Sequence, residues 1–202
     1  MTVLIPFAGL SPVPWKNGGG STIEIAIGPQ DAGFEDFDWR VSLATIEKDG
    51  AFSLFPGVDR TLALVEGHGM LLEIDGEPAL VTDSDPVVAF DGSSVVTAKL
   101  SRGASTDYNA MTRSERCYHT FGRRRLSGDA ASSTFVARAD VTVLFLAQGD
   151  SLELRNEQER IGLVRYDAVV LEAGSAWKLD AAQGMIYIVD IWYHDEDEDA
   201  YE

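Results

Sequence analysis

The pattern of eleven residues about a third of the way along the chain returns in its second half. Leu62-Ala63-Leu64-Val65-Glu66-Gly67-His68-Gly69-Met70-Leu71-Leu72 aligns with Leu144-Phe145-Leu146-Ala147-Gln148-Gly149-Asp150-Ser151-Leu152-Glu153-Leu154, so that Gly67 falls on Gly149, 82 positions later. At the same spacing Val87-Val88 falls on Val169-Val170 and Gly92 on Gly174. Apolar runs and turn glycines that keep step in this way describe two copies of one module.

Each copy reads as strands. In Trp39-Arg40-Val41-Ser42-Leu43-Ala44-Thr45, period-2 alternation puts Trp39, Val41 and Leu43 on one face and Arg40, Ser42 and Ala44 on the other. Thr22 to Ile27 is a strand stopped by Gly28-Pro29, and Pro56-Gly57 turns the chain to deliver Arg60 at the head of a strand over Thr61 to Val65. Asp75-Gly76 is a two-residue hairpin signal. Val87 to Phe90, Val95 to Leu100, Val141 to Ala147, Ser151 to Leu154, Ile161 to Val164, Ala168 to Leu171 and Met185 to Trp192 continue the series. Short strands with Gly/Pro-rich turns predict an all-β antiparallel sandwich or barrel, and the duplication makes two of them. The strand-and-turn order is similar to the cupin jelly roll, so the expected fold is a bicupin of two repeated β-sandwich modules. The boundaries predicted are a first module over 1–115, a basic connector over 116–134 with Arg123-Arg124-Arg125, a second module over 135–194 and an acidic, disordered tail over 195–202.

The charge narrows the partners. A formal net charge of -17 and a pI near 4.4 argue against a nucleic-acid backbone or an anionic membrane, since both call for a basic face. One cysteine, Cys117, leaves no intramolecular disulfide, and no stretch approaches the apolar length of a membrane span. A cytoplasmic location is expected. Exposed sheet edges leave room for a homodimer, although no residue pattern fixes the number of copies.

The chemistry concentrates in the first module. Pro14-Trp15-Lys16-Asn17-Gly18-Gly19-Gly20-Ser21-Thr22-Ile23-Glu24 sets an aromatic ring, a cation, an amide and a carboxylate around a glycine run. A phosphate loop is excluded, because there the lysine follows the glycines and opens a helix. The remaining readings are a flexible loop or a close-approach turn that carries ligand-binding groups. Arg40 and Arg60 can fork onto a carboxylate, and Lys16 adds a point charge. Asn17, Asn109, Ser42 and Thr22 can orient polar atoms, while Trp15, Phe55 and Phe90 can wall a pocket or stack on a planar ligand. Glu24 and Asp107 are the candidates for a general base. The structural alternatives are ion pairs of Arg40 and Arg60 with Asp38 or Asp59 at the rim, and a core role for the aromatics. No cofactor is expected. No metal is expected either, because His68, His119 and His194 lack His-x-His spacing and the pair Cys117 and His119 does not complete a site. Arg60 falls on Thr142 in the second copy, which also has no counterpart of the Lys-Asn-Gly-Gly-Gly run, so the pocket is expected in the first module.

An ordered set of motifs resembles the HutD/Ves family: Pro14-Trp15-Lys16-Asn17-Gly18-Gly19-Gly20 with Glu24, Phe37-Asp38-Trp39-Arg40-Val41-Ser42, Phe52-Ser53 with Phe55-Pro56-Gly57-Val58-Asp59-Arg60, Phe90-Asp91-Gly92, and Asp107-Tyr108-Asn109 with Met111 and Arg113. The match covers about the first 115 residues. It departs at Ile23, where many relatives carry a cation, and at Tyr108, where the usual residue is Phe. The resemblance implies a bicupin with a small-ligand pocket. Relatives are often encoded beside histidine-degradation genes, where a regulatory or metabolite-buffering role has been proposed, and the Ves branch is linked to cold or other stress. The expected function is therefore the binding of a small carboxylate-bearing metabolite, such as urocanate or a formylglutamate-like molecule, with a regulatory or buffering role in histidine utilisation. The alternative is a metal-independent isomerase, lyase or hydrolase that uses Glu24 or Asp107 as base and Lys16 or Arg60 to stabilise negative charge.

Overall fold

A computed structural model describes residues 1–127 and 133–195. It begins with β1 (Val3–Ile5) and a 3-10 turn at Phe7–Gly9. There follow β2 (Val13–Pro14), β3 (Gly20–Gly28), β4 (Trp39–Ile46), β5 (Gly50–Ala51), β6 (Val58–Glu66), β7 (Met70–Ile74), β8 (Glu77–Val81), β9 (Val87–Asp91), β10 (Val96–Leu100) and β11 (Ser105–Arg113). The second half contributes β12 (Cys117–Ser127), β13 (Ser133–Val136), β14 (Val141–Gln148), β15 (Ser151–Arg155), β16 (Arg160–Val164), β17 (Ala168–Glu172), β18 (Ala176–Asp180) and β19 (Gln183–Tyr193). Among the described residues no helix is long and apolar enough to cross a membrane.

The duplication is written in the sheets. One module pairs the sheet β2-β3-β4-β11-β6-β9 with the sheet β5-β10-β7-β8, and the other pairs β12-β19-β14-β17-β1 with β13-β18-β15-β16. Strand for strand, β4, β11, β6 and β9 correspond to β12, β19, β14 and β17. Gly67 and Gly149 are equivalent in detail: both have φ near +100° (100° and 109°), and a Cβ on either would meet a carbonyl oxygen of the adjoining turn, that of Ala104 at 2.7 Å or Gln183 at 2.6 Å. Only glycine fits both demands without strain. The spacing of 82 is not uniform, however. Leu62 pairs with Val88, and its counterpart Leu144 pairs with Val169, so the match of Val87-Val88 slips by one residue.

Two further expectations need correction. The segment 116–134 is not a connector over its described part: residues 117–127 form β12, paired along their whole length with β19. An edge strand leaves alternate side chains free to reach water, so the arginines fit there without interrupting the sheet. At the other end of the chain, β1 does not join the first module but pairs with β17 of the second. Residues 128–132 of the predicted connector and 196–202 of the acidic tail lie outside the described residues.

Alternation assigns each strand two separate cores. Trp39, Val41, Leu43, Ala63, Val65, Tyr108 and Ala110 turn outward from the first sandwich and meet Val143, Phe145, Ala147, Tyr187 and Val189 from the second, which forms the seam between modules. Each fully buried large side chain there contributes about 1.5–3 kcal/mol relative to exposure. The seam also holds polar fixings: Tyr187 donates its hydroxyl to the Leu64 carbonyl, and His119 bonds Thr112 Oγ1 through Nδ1 (2.7 Å) and Thr61 Oγ1 through Nε2 (2.9 Å). Burial lowers the pKa of His119.

The opposite faces point into the two sandwiches, and here the modules diverge. The second interior is filled by Leu144, Leu146, Leu152, Leu154, Ile186, Ile188 and Trp177. The first has an apolar end built on Ile46, Leu62, Leu64, Met70 and Leu72, while its other end is polar.

Candidate functional site

Register builds the polar end. Across the large sheet of the first module, Met111 pairs with Arg40 on one side and Arg60 on the other, and Arg60 pairs with Phe90. The next inward row runs Glu24, Ser42, Asn109, Leu62, and the one after it Thr22, Ala44, Asp107, Leu64. Arg40 and Arg60 thus face the same interior two strands apart, about 10 Å between backbones at the usual strand spacing. In the second module the equivalent row is Thr120, Asp190, Thr142, Leu171, with no cation, and Thr142 bonds Asp190 at 2.5 Å.

Arg60 is enclosed. Only 7% of it is exposed, and its Cζ lies 4.9 Å from the Phe90 ring centroid, 5.3 Å from Phe55 and 5.5 Å from Phe52. One terminal nitrogen donates to Asn109 Oδ1 at 3.1 Å and the other to the Ser53 carbonyl at 3.4 Å, while its buried Nε has no acceptor. Desolvation, and secondarily the charge of Arg40, lowers its pKa to about 10. Arg40 is buried to the same degree and donates from Nε to Glu24 Oε2 at 2.8 Å. That is its one hydrogen bond among the described residues. The rim pairs considered from sequence do not form: Asp38 is taken by Arg116 at 2.6 Å.

Deeper on β11, Asp107 is completely buried. Ser105 Oγ donates weakly to its Oδ1 at 3.4 Å, and Oδ2 has no partner. Desolvation raises its pKa to about 8.

The structure therefore gathers Arg40, Ser42, Phe55, Arg60, Phe90, Asp107 and Asn109 at one interior, with Glu24 at its exposed rim, bonded to Arg40. It does not bring Lys16 or Asn17 to them. Lys16 is exposed on the hairpin between β2 and β3, and Asn17 Oδ1 accepts from the Gly19 backbone at 2.9 Å. Trp15 donates from Nε1 to Thr22 Oγ1 at 2.7 Å, so those two candidates hold each other. The hairpin docks on the far end of β4, where Glu47 N donates to the Gly19 carbonyl at 2.9 Å and a Cβ on Gly20 would lie 2.1 Å from the Thr45 carbonyl oxygen. The glycine run is a close-approach turn, as read, but to backbone.

Several contributors escaped the sequence reading. Phe52 was visible as the partner of Phe55 in Phe52-x-x-Phe55, whereas Phe34, in an aperiodic acidic loop, gave no signal. Arg113 ties that loop down by donating to the carbonyls of Phe37 (3.2 Å) and Glu35 (2.8 Å). Among the described residues no group of three or more His, Cys, Asp or Glu side chains is placed to hold a metal ion. The Cys117 thiol donates to the Asp38 carbonyl at 3.2 Å, and burial raises its pKa to about 11.

The HutD family model matches residues 8–188. The chain belongs to the HutD family. It is similar to the 21.2 kDa protein of the hutC 3′ region of Pseudomonas putida, at 35% identity over 89% of this chain and 91% of that protein. Protein Ves of Citrobacter koseri is 41% identical over 54% of this chain and 62% of its own length. Among solved structures, HutD from Pseudomonas fluorescens SBW25 in a formate condition superposes with a TM-score of 0.80 at 27% identity, over 96% of this chain and all of that one. Salicylate 1,2-dioxygenase from Pseudoaminobacter salicylatoxidans, at 10% identity and a TM-score of 0.65 over 94% of this chain and 81% of that one, shares the fold alone. The architecture is thus all-β and cupin-like, in two copies, and the Pseudomonas putida relative is named for the hutC region in which it is encoded.

Proposed function

We propose that the first module binds a small carboxylate-bearing molecule at Arg40 and Arg60, and that this HutD-family protein acts as a binder with a regulatory or buffering role in histidine utilisation. The observation that carries the proposal is an unmatched charge. Two arginines, each 7% exposed, face one interior, and the one carboxylate hydrogen-bonded to either guanidinium is Glu24, on Arg40; Arg60 donates to the neutral Asn109 amide and the Ser53 carbonyl. Asp107 does not restore the balance, since a carboxyl with a pKa of about 8 is mostly neutral at pH 7. A buried cation without a partner is strongly unfavourable, and a ligand carboxylate supplies the missing acceptor. Arg40 offers the terminal N–H groups that Glu24 leaves free, Arg60 offers its orphan Nε, and Ser42 and Asn109 line the row behind them.

Calorimetric titration with formate, urocanate, histidine and formylglutamate tests the reading. Saturable binding of at least one supports it, and no heat from any of them at millimolar concentration rejects this ligand class.

A second reading, catalysis, is favoured by one observation. Asp107 is a buried acid with a free Oδ2 and a pKa near working pH, which suits proton transfer. Glu24 suits the role less, because its carboxylate is engaged by Arg40. An Asp107→Asn variant that binds normally but loses a measurable turnover would favour catalysis. Absence of product across the same metabolites leaves binding ahead.

A further inference from the structure

A cleft of about 220 Å³ opens between the glycine hairpin and the turn that follows β4. Its lining includes the aromatic residues Trp15 and Phe52, the apolar Ile46, and the polar Asn17, Lys48 and Asp49. Its centre lies away from Arg40, since Ile46 is six residues from Arg40 along β4, about 20 Å at strand rise, and Phe52 is the residue it shares with the arginine site.

The walls are fixed before any ligand arrives. The Trp15 indole is held by Thr22 Oγ1, and the Phe52 backbone donates to the Val96 carbonyl at 2.9 Å. The two loops are joined at Gly19, whose carbonyl accepts from both Glu47 N (2.9 Å) and Lys48 N (3.3 Å). Asp49 Oδ1 accepts from Leu100 N at 2.8 Å, which anchors the turn from below. Rigid aromatic walls with a few convergent polar groups are the usual make-up of a small-molecule site. Its polar side chains are two donors, Asn17 and Lys48, and the Asp49 carboxylate, whose Oδ1 is engaged by Leu100 N. Lys48 has no ion-pair partner among the described residues, and the Asn17 side-chain oxygen is taken by Gly19, which leaves its amide nitrogen for a ligand. At Gly50 there is free space, because an added Cβ would meet nothing within 4 Å.

We propose that this cleft is a second binding site, for a small planar molecule bearing a carboxylate. Its ring lies against Trp15 and Phe52, and its acid group meets Lys48 and the Asn17 amide. Two aromatic walls favour a flat ring over a saturated one, since ring faces attract through offset stacking. Phe52 links the cleft to the first site, because its ring also lies 5.5 Å from Arg60.

The test follows the indole N–H resonance of Trp15 by nitrogen-proton correlation NMR, assigned with Trp15→Phe, while benzoate or acetate is added. Benzoate is expected to shift it saturably, and acetate, which has no ring, to leave it unmoved. Gly50→Leu fills the open space and is expected to weaken benzoate by about tenfold or more. Lys48→Gln, an exposed change that spares the fold, is expected to weaken it less. Arg40→Gln is expected to leave the Trp15 response intact, which separates this cleft from the arginine site. No saturable shift with benzoate, equal affinity in wild type and both cleft variants, or a response abolished by Arg40→Gln would overturn the proposal.

Discussion

The ring centroids of Phe34 and Phe55 lie 5.2 Å apart, and each ring covers a different arginine: Phe34 is 5.5 Å from Arg40 Cζ, and Phe55 is 5.3 Å from Arg60 Cζ. The loop before β4 and the loop before β6 therefore meet over the charged end of the first sandwich. Phe34 remains 54% exposed, so the contact is made at the surface and its removal creates no core cavity.

Phe34→Ala should consequently separate binding from stability. A cation–π contact at an exposed position contributes about 0.5–1 kcal/mol, so the melting temperature should move little. Carboxylate dissociation should accelerate, because the ring beside Arg40 is gone. Stopped-flow displacement measures this directly. An unchanged dissociation rate would reduce Phe34 to a surface contact.

Asp107 gives the fold a pH dependence of definite sign. Its folded pKa is raised to about 8 from 3.8, so between those values the folded chain keeps a proton that the unfolded chain releases. Its contribution to stability is complete below the unfolded value and is lost as pH rises through about 8. Asp107→Asn keeps the shape without the charge. The melting-temperature difference, variant minus wild type, should grow between about pH 5 and pH 9. A constant difference would contradict the burial argument.

Tyr108 carries a hydroxyl that the seam does not use. The residue is fully buried, stacks on Phe145 at 4.7 Å, and its hydroxyl has no hydrogen-bond partner. An unsatisfied buried hydroxyl costs about 1–3 kcal/mol, so Tyr108→Phe should stabilise the protein by roughly 1 kcal/mol. Urea denaturation monitored by fluorescence checks it, and a destabilised variant would mean that the hydroxyl is bonded in solution.

What the sequence made legible is what short-range periodicity and repetition control. The alternation over Trp39 to Thr45 correctly divides seam residues from interior ones, because side chains on a strand change face at every residue. The duplication was readable from Gly67 and Gly149, where the backbone tolerates only glycine. It became inexact where loops differ in length, and Asn109 corresponds in the sheet to Ile188, only 79 positions on. The choice of sandwich end was hidden. Lys16 and Asn17 stand near Glu24 in sequence, yet the hairpin folds back toward Glu47, at the opposite end of β4 from Arg40. The arginine run resembled a loop because charge clusters usually mark one. An edge strand presents the same pattern when its side chains reach water.

If unmatched arginine charge in the first module holds a carboxylate, calorimetry on wild type and Arg40→Gln with one bound carboxylate, urocanate or formate, will show it. Charge-assisted hydrogen bonds are worth about 1.5–3 kcal/mol, so wild type should bind and Arg40→Gln should bind about 10- to 100-fold more weakly, with the fold retained. Equal affinity of the two proteins for the same carboxylate would contradict it.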